Sequence, residues 1–320
     1  MKFKGDKMKL KEWLPKWLEI YVYPTSKMRT YTRYSEIVFQ HIIPNLGEFE
    51  LSDLTVYEIQ CFITELLKTG NLKTGRGLAV NSVNSIITII QNSLKSAKYS
   101  GVIDEYIGDK IKRPKPQEKR VECLTVEEQI KLEKYIIDSN KAEKYIGIIL
   151  CLYTGLRIGE LLALEWSDVD FKKYELSVTK SCYYGKNETG VYQRMVSEPK
   201  TATSVRIIPI PKQIIPLMRD CKKNSHSELI VSNGEKNITL RTYQRRFSVL
   251  LKKLNIQSRG FHSLRHTFAT RAIECGIDVK ALSEILGHKN PTVTLNRYAH
   301  SLMEHKKEMI NRLGKIGYLK

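Results

Sequence analysis

Apolar residues in the first third of the chain recur at helical spacing, and this pattern predicts four short amphipathic helices. The first helix presents on one side Leu10, Trp13, Leu14, Trp17, Leu18 and Tyr21. A second, over about 26–41, should end before Pro44, because proline lacks the N–H that a helix interior uses. Thr55 and Glu58 have the spacing of a capping box that opens a third, and a fourth begins at Asn81. Together these helices predict a small bundle.

The second half of the chain predicts mainly helices around one small sheet. A capping box at Thr125 and Glu128 predicts the start of a helix, and further helices are predicted over about 142–153, 157–164, 240–254, 263–275, 279–286 and 292–298. Segments rich in β-branched and aromatic residues lie between turn residues at about 174–180, 192–197 and 205–209. The predicted fold class is therefore mainly α with a small antiparallel β-sheet.

Length and composition predict two folded domains joined by a basic linker. At roughly 100–200 residues per domain, 320 residues suggest two. Between Lys110 and Arg120 six of eleven residues are basic, and two prolines interrupt regular structure, which is typical of a semi-rigid connector or a strap across a DNA backbone. The predicted parts are a basic leader at 1–9, a helical domain at 10–110, the linker at 111–121, a second domain at 122–304 and a tail helix at 305–320.

The charge balance predicts a polyanionic partner. The chain has 53 Lys+Arg against 34 Asp+Glu, so its net charge is +19 and it should attract nucleic acid. The same charge is compatible with a ribosomal or membrane-surface protein. The 42% of hydrophobic residues, however, favours folded domains with cores. The six cysteines are scattered without a Cys-x-x-Cys pair, as in reduced cytosolic proteins. The N-terminus has no apolar export segment, and the apolar stretches are too short to span a bilayer. We expect a cytoplasmic protein that does not engage membranes.

Cationic, imidazole and phenol side chains are concentrated near the C-terminal end, at His262, Arg265, His288 and Tyr298. A phenol has a pKa of about 10 and attacks phosphorus only where cations lower the cost of its ionisation. Arginines supply that charge and can bind two oxygens of a phosphate at once. Taken singly, a histidine at a helix start is more often a cap, and an arginine is more often a salt-bridge partner. The combination favours phosphodiester transfer.

Two other chemistries fail on particular residues. His262 and His266 are four apart on a helix, as in zinc peptidases, but Ser263 stands where those enzymes have a catalytic glutamate. The segment 70–75 has the glycine spacing of a P-loop, but Arg76 and a glycine follow in place of Lys-Ser/Thr. Neither a zinc site nor a nucleotide site is predicted.

Five blocks in a fixed order resemble the tyrosine recombinase (phage integrase) family. These blocks are Thr154-Gly-Leu-Arg157-Ile-Gly-Glu160, Pro199-Lys200-Thr201 with Ser204, Arg206 and Ile208-Pro209, then His262-x-x-Arg265-His-Thr, Leu286-Gly-His288, and Tyr298. They span about 154–300, and the N-terminal half is more loosely similar to the helical core-site-binding domain of the family. The resemblance implies a helical core-binding domain and an α+β catalytic domain that form a C-shaped clamp around duplex DNA.

The resemblance implies six site residues, Arg157, Lys200, His262, Arg265, His288 and Tyr298. The two arginines would hold the scissile phosphate and offset the charge on its oxygens in the transition state. Tyr298 would attack phosphorus and give a 3′-phosphotyrosine, while Lys200 would protonate the leaving 5′ oxygen. His262 would assist proton transfer from the phenol, and His288 would hydrogen-bond the phosphate. No metal ion, ATP or cofactor is implied.

Departures from the family pattern affect the lysine most. Lys180 and Lys186 lie in the same β region, and Lys200 is preferred because Lys-Thr followed by a β-strand matches the pattern best. Glu160 is expected to be structural support that orients Arg157. Because the chain begins almost directly with the core-binding helices, we expect no separate arm-binding domain.

The predicted function is site-specific DNA recombination, with integration and excision of a phage or mobile element as the preferred role. The expected partners are double-stranded DNA with specific core sites, a homo-tetramer on two such sites, and an excision or directionality factor. The tail at 305–320 would pack into a neighbouring protomer, or else on its own domain. The alternatives are a type IB-like topoisomerase, which would not assemble on two specific sites, and a non-catalytic DNA-binding regulator, which would form no covalent adduct.

Overall fold

The computed structural model describes residues 8–116, 122–139, 141–186, 191–197, 205–234 and 236–288, together with 290, 292, 310 and 311. The chain folds into two compact parts, Met1–Lys119 and Arg120–Lys320, called here the N-terminal unit and the C-terminal unit. The predicted class, mainly α with small antiparallel sheets, is confirmed.

The N-terminal unit is built from helices. They are α1 Leu10–Trp17, α2 Met28–Ile37, α3 Ile43–Leu46, α4 Val56–Thr69 and α5 Val80–Tyr99. The predicted capping box opens α4, where Thr55 N donates to Glu58 Oε2 at 2.7 Å and Glu58 N donates to Thr55 Oγ1 at 3.4 Å. Both main-chain donors would otherwise lack an intrahelical acceptor, so the box fixes the start of α4.

The predicted helix end before Pro44 was wrong. A π-helical turn at Val38–Ile42 continues from α2, and the N–H of Ile43 donates to the carbonyl of Val38. Helix α3 then begins at Ile43 with Pro44 in its first turn. The widened π turn lets the chain remain helical through the proline.

Helix α5 forms the centre of the N-terminal core. Its inward face is almost fully buried at Val83, Ile86, Ile87, Ile90, Leu94 and Ala97. Trp13 Nε1 of α1 donates to the carbonyl of Ser93 at 3.2 Å, and Trp17 Nε1 donates to Ser96 Oγ at 3.0 Å. Each indole therefore buries its apolar ring while its N–H keeps a partner, which fixes α1 against α5.

The start of the basic segment at 111–121 is bound to the N-terminal unit. Gln60 exchanges two hydrogen bonds with the main chain of Lys112, at 3.2 and 3.3 Å. Arg113 donates to Thr88 Oγ1 at 3.0 Å, and Ile111 is buried in the unit's core. The remainder of the segment, 117–121, lies outside the described residues.

In the C-terminal unit the helices surround α7. They are α6 Val126–Asp138, α7 Ala142–Thr154, α8 Ile158–Leu161, α9 Ile215–Asn224, α10 Leu240–Lys253, α11 Ser263–Glu274 and α12 Val279–Leu286. Residues 145–152 of α7 are all buried, as expected for a helix that packs on several sides, here against α6, α9 and α11.

The predicted helix at 292–298 and the tail at 305–320 fall almost wholly outside the described residues. Across the described ranges, no helix is both long and apolar enough to cross a bilayer.

The strands of the C-terminal unit do not form the single sheet that was predicted. They are β1 Val169–Asp170, β2 Glu175–Val178, β3 Ser181–Lys186, β4 Tyr192–Ser197, β5 Arg206–Pro209, β6 Ser232–Asn233 and β7 Lys236–Asn237. One sheet has the order β1-β2-β5, whereas β4 pairs with β3 in a separate antiparallel hairpin, and β6 pairs with β7. Strand β3, which follows β2 after two residues, was not predicted.

Candidate active site

Within the described ranges, three arginines from different elements converge on the end of α12. Three consecutive main-chain carbonyls, of Ile285, Leu286 and Gly287, accept in turn from Arg206 Nε at 2.6 Å, Arg265 Nη2 at 2.7 Å and Arg157 Nη2 at 3.0 Å. These carbonyls belong to the last turn of a helix, where they have no intrahelical donor and carry the negative end of the helix dipole. The end of α12 therefore attracts and orients guanidinium groups.

Glycine sets the geometry of this turn. Asp278 caps the start of α12 by accepting from Ala281 N at 2.8 Å, and Gly287 ends the helix in the left-handed region with φ +63. The N–H of His288 then donates to the carbonyl of Ser283 at 3.0 Å, which closes the turn. A side chain at Gly287 would also place a Cβ 3.0 Å from Nη1 of Arg206, so glycine gives both the left-handed conformation and the room.

Glu160 connects two of the three arginines. Its Oε1 lies 2.7 Å from Nη1 of Arg157, and its Oε2 lies 2.9 Å from Nη2 of Arg206. The main-chain N–H of Arg157 also donates to Oε2 at 2.9 Å. The expectation that Glu160 orients Arg157 is confirmed by these contacts.

The electrostatics keep this carboxylate charged. Burial raises the pKa of Glu160, but the hydrogen bond from Arg206 and the charges of Arg206 and Arg157 outweigh burial and hold that pKa below its ordinary value. The side chains of Glu160 and Arg206 are 7% and 6% exposed, whereas that of Arg157 is 37% exposed. Arg157 is therefore the member of this ion-pair network that a ligand can reach.

Arg265 joins the C-terminal ends of α7 and α12. It is 2% exposed, and its Nη1 donates to the carbonyl of Gly155 at 2.6 Å. Its Nη2 also lies 2.9 Å from Nε2 of His288. Because a guanidinium can only donate, Nε2 of His288 must accept, so the imidazole is neutral in this contact and carries its proton on Nδ1. The Nδ1–H is then the ring's hydrogen-bond donor.

Replacing Gly155 with alanine is expected to destabilise the C-terminal unit by about 3 kcal/mol, from left-handed strain combined with overpacking. The residue has φ +64, and a Cβ there would lie 2.5 Å from Cδ1 of Phe268 and 2.7 Å from Cδ2 of Leu286. Urea unfolding of the two proteins measures the difference. The matched control is Gly234→Ala, which has φ +66 but no atom within 4 Å of its Cβ. It should lose only the strain, about 1 kcal/mol; equal losses at the two positions would contradict the packing argument.

The described residues include four of the six predicted site residues, and the structure brings three of them together. Arg157, Arg265 and His288 meet at the end of α12 through the contacts given above. His262 lies at the N-terminus of α11 and is exposed, with its ring edge-on to that of His266 at a centroid distance of 4.6 Å. Although His262 and Arg265 are one turn apart, one side chain is thus exposed and the other buried.

The other two predicted residues, Lys200 and Tyr298, lie outside the described residues. Of the alternative lysines, Lys180 pairs with Glu165 at 3.1 Å between Nζ and Oε1. Lys186 is the last residue of β3. The assignment of the lysine and the tyrosine therefore stays a prediction.

Sequence reasoning gave no role to Arg206 or to the carbonyls that hold the arginines. A signal for Arg206 was present, because it belongs to the same block as Lys200 and begins the strand that follows. A signal for the carbonyls was the glycine directly after the apolar residues of α12, which is typical of a left-handed helix end with unpaired carbonyls. Together these groups form a cationic cluster that can bind the oxygens of a phosphodiester and offset the charge they gain in a transition state.

Comparison with known proteins shows which family this chain resembles. The family model described as the phage integrase family matches residues 122–305, and that of the N-terminal SAM-like domain of phage integrases matches residues 9–67. A XerC-like tyrosine recombinase of Caldanaerobacter subterraneus subsp. tengcongensis is 27% identical over 94% of this chain and 81% of its own. The ICEBs1 integrase of Bacillus subtilis is 27% identical over 90% of this chain and 78% of its own.

Among solved structures, the Tn1549 transposon integrase in complex with transposon right end DNA is similar to this chain. The TM-score is 0.80 at 22% identity, over 96% of this chain and 100% of that one. At this level of identity the likeness shows a shared fold.

Proposed function

Because the chain belongs to the phage integrase family of tyrosine recombinases, which cleave and rejoin DNA, we propose that it recombines specific DNA sites to integrate and excise a mobile genetic element. The observation that carries this proposal is the convergence of Arg157, Arg265 and His288 at the end of α12, ten residues before Tyr298. The names of the similar proteins, an integrase of the element ICEBs1 and a transposon integrase in complex with transposon end DNA, support the mobile-element role.

In the proposed reaction, Arg157 and Arg265 bind the non-bridging oxygens of the scissile phosphate. The phenol oxygen of Tyr298 forms a bond to phosphorus, and the bond from phosphorus to the 5′ oxygen breaks. His262 accepts the phenol proton, and Lys200 donates a proton to the leaving oxygen. The products are a 3′-phosphotyrosine and a free 5′-hydroxyl, and attack by the 5′-hydroxyl of another strand reverses the step. The bond energy stays in the phosphotyrosine, so the exchange needs no ATP.

The lysine assignment has structural support. The alternative Lys180 is already paired within the protein, because its Nζ lies 3.1 Å from Oε1 of Glu165. Lys200 follows the β3–β4 hairpin and precedes β5, whose first residue is Arg206.

The proposed assembly follows from the reaction. Exchange between two duplexes breaks four strands, and one tyrosine holds each broken end, so four copies act on two core sites. An excision or directionality factor is a further proposed partner, and the proposed place of action is DNA in the cytoplasm. The net charge of +19 supports binding to duplex DNA, which should weaken as salt rises because bound counterions are released.

The test uses supercoiled plasmid that carries the DNA flanking the gene of this protein, in EDTA and without ATP. We expect relaxation together with a covalent protein–DNA adduct, and mass spectrometry of the digested adduct should place the nucleotide on the peptide that contains Tyr298. Relaxation of any plasmid without preference for a site would favour a topoisomerase. Tight binding to the flanking DNA, with no adduct even on nicked half-sites that trap the intermediate, would favour a non-catalytic regulator.

A further inference from the structure

We propose that Arg206 is a positioning residue of the cleavage reaction, which holds Glu160 so that Arg157 keeps its charge and its direction towards the scissile phosphate. The inference rests on the proposed function. It assigns to Arg206 a part in the reaction that it plays through Glu160 and Arg157, without a contact of its own to DNA.

The contacts of Arg206 fix its guanidinium on two sides. Its Nη1 and Nη2 lie 3.2 and 2.9 Å from the two oxygens of Glu160, which is a bidentate arrangement. Its Nε donates to the carbonyl of Ile285 at 2.6 Å. With a side chain only 6% exposed, Arg206 is held by these groups and shielded from solvent.

The charge balance gives Arg206 a consequence for the reaction. Glu160 faces both Arg206 and Arg157, so its single negative charge is shared between two positive ones. Without Arg206, the carboxylate would be paired with Arg157 alone, and the field of Arg157 at a bound phosphate would be largely cancelled. Because these groups are mostly buried, solvent screens the cancellation weakly.

The backbone position of Arg206 connects the parts of the site. It begins β5, where it is paired with Val178 of β2, and it directly follows the segment that carries Lys200. Through its side chain the same residue holds α8, at Glu160, and the end of α12, at Ile285. A displacement of Arg206 would therefore shift Arg157 and the turn before His288 together.

A purely structural ion pair makes a different prediction. Such a pair would affect folding, so its loss would lower the amount of folded protein and leave the properties of the folded fraction unchanged. A positioning residue instead slows the chemical step in protein that is folded and bound to DNA. The affinity for DNA and the rate of the bound complex must therefore be measured separately.

The experiment compares the wild type with Arg206→Gln and Arg206→Lys on a nicked half-site duplex from the flanking DNA. For Arg206→Gln we expect adduct formation about 10- to 100-fold slower at saturating protein, with the Kd for DNA changed less than about threefold. Arg206→Lys keeps the positive charge beside Glu160 and should be clearly faster than Arg206→Gln. The matched control is Arg246→Gln, which removes a half-buried arginine of the same unit that donates to the carbonyl of Lys144 at 3.0 Å, and it should keep the wild-type rate.

A double-mutant cycle tests whether Arg206 acts through Glu160. In a Glu160→Gln background, Arg206→Gln should slow the reaction less than it does in the wild type, because the carboxylate that it controls is gone. The inference is overturned by any of four results: an unchanged rate in Arg206→Gln, a lysine variant no faster than the glutamine variant, an equal loss in Arg246→Gln, or full additivity in the cycle. If the wild type forms no adduct, the proposed function fails and the inference fails with it. A working wild type with an unaffected Arg206→Gln removes only the inference.

Discussion

Replacing Tyr298 with phenylalanine is expected to abolish cleavage while leaving DNA binding intact. The proposed covalent bond is formed by the phenol oxygen, which this substitution removes while it keeps the ring. Loss of a nucleophile costs on the order of 10⁵-fold or more in rate, so no covalent adduct should be detectable. The measurement is adduct formation on a nicked half-site, with the Kd for the same DNA determined in parallel.

Tyr192→Phe is the matched control for this variant. Tyr192 is an exposed tyrosine of β4 in the same unit, and loss of its hydroxyl should leave adduct formation at the wild-type level. An adduct that persists in Tyr298→Phe would show that another residue is the nucleophile. Loss of DNA binding in Tyr298→Phe would mean that the substitution disturbs more than the chemical step.

Replacing Arg265 with lysine is expected to slow cleavage by about 10³-fold, the scale of losing a preorganised hydrogen-bond donor at a transition state. The guanidinium contacts the carbonyls of Gly155 and Leu286 and the ring of His288 at the same time. The single ammonium of lysine cannot make all three contacts, because it lacks the two separate nitrogen donors of the guanidinium. Arg265 is only 2% exposed, so water does not replace its guanidinium at these carbonyls. The free energy of unfolding should therefore also fall by about 3 kcal/mol. Adduct kinetics and urea unfolding measure the two effects.

The control for Arg265→Lys is Arg271→Lys on the same helix. Arg271 also donates to a main-chain carbonyl, that of Leu124 at 3.0 Å, and pairs with Glu274 at 2.6 Å, but it has no contact with the end of α12 among the bonds described. Its replacement should cost about 1 kcal/mol of stability and leave the cleavage rate within a few-fold of wild type. If both variants cleave at the same rate, Arg265 does not take part in the reaction.

Most helices could be predicted because their apolar residues repeat at helical spacing and their ends carry capping residues. Helix α12 was predicted with its observed bounds, since Asp278 and Gly287 mark its two ends. Helix α9 was not predicted. Pro216 lies in the first turn of α9, where a helix has no use for the missing N–H.

The candidate site was predictable where side chains carry the chemistry and not where the main chain does. Arg157, Arg265 and His288 stand out as charged or imidazole groups within motifs, and the structure places them together. The groups that accept their hydrogen bonds are carbonyls, which every residue has, so no residue type marks them. The link from Arg206 to Glu160 crosses 46 positions of the chain, and without a fold nothing in the local pattern pairs them.

The use of consecutive carbonyls at the end of α12 determines which kinds of mutation the site tolerates. Any residue supplies a carbonyl, so Ile285 and Leu286 can be exchanged for other apolar residues that pack, and the acceptors remain. An inserted or deleted residue in this turn would instead rotate the acceptors by about 100° around the helix axis. All three arginines would lose their acceptors in one event. In a mutational library of this gene, substitutions at 285 and 286 should give graded activities, whereas changes of length there should give none.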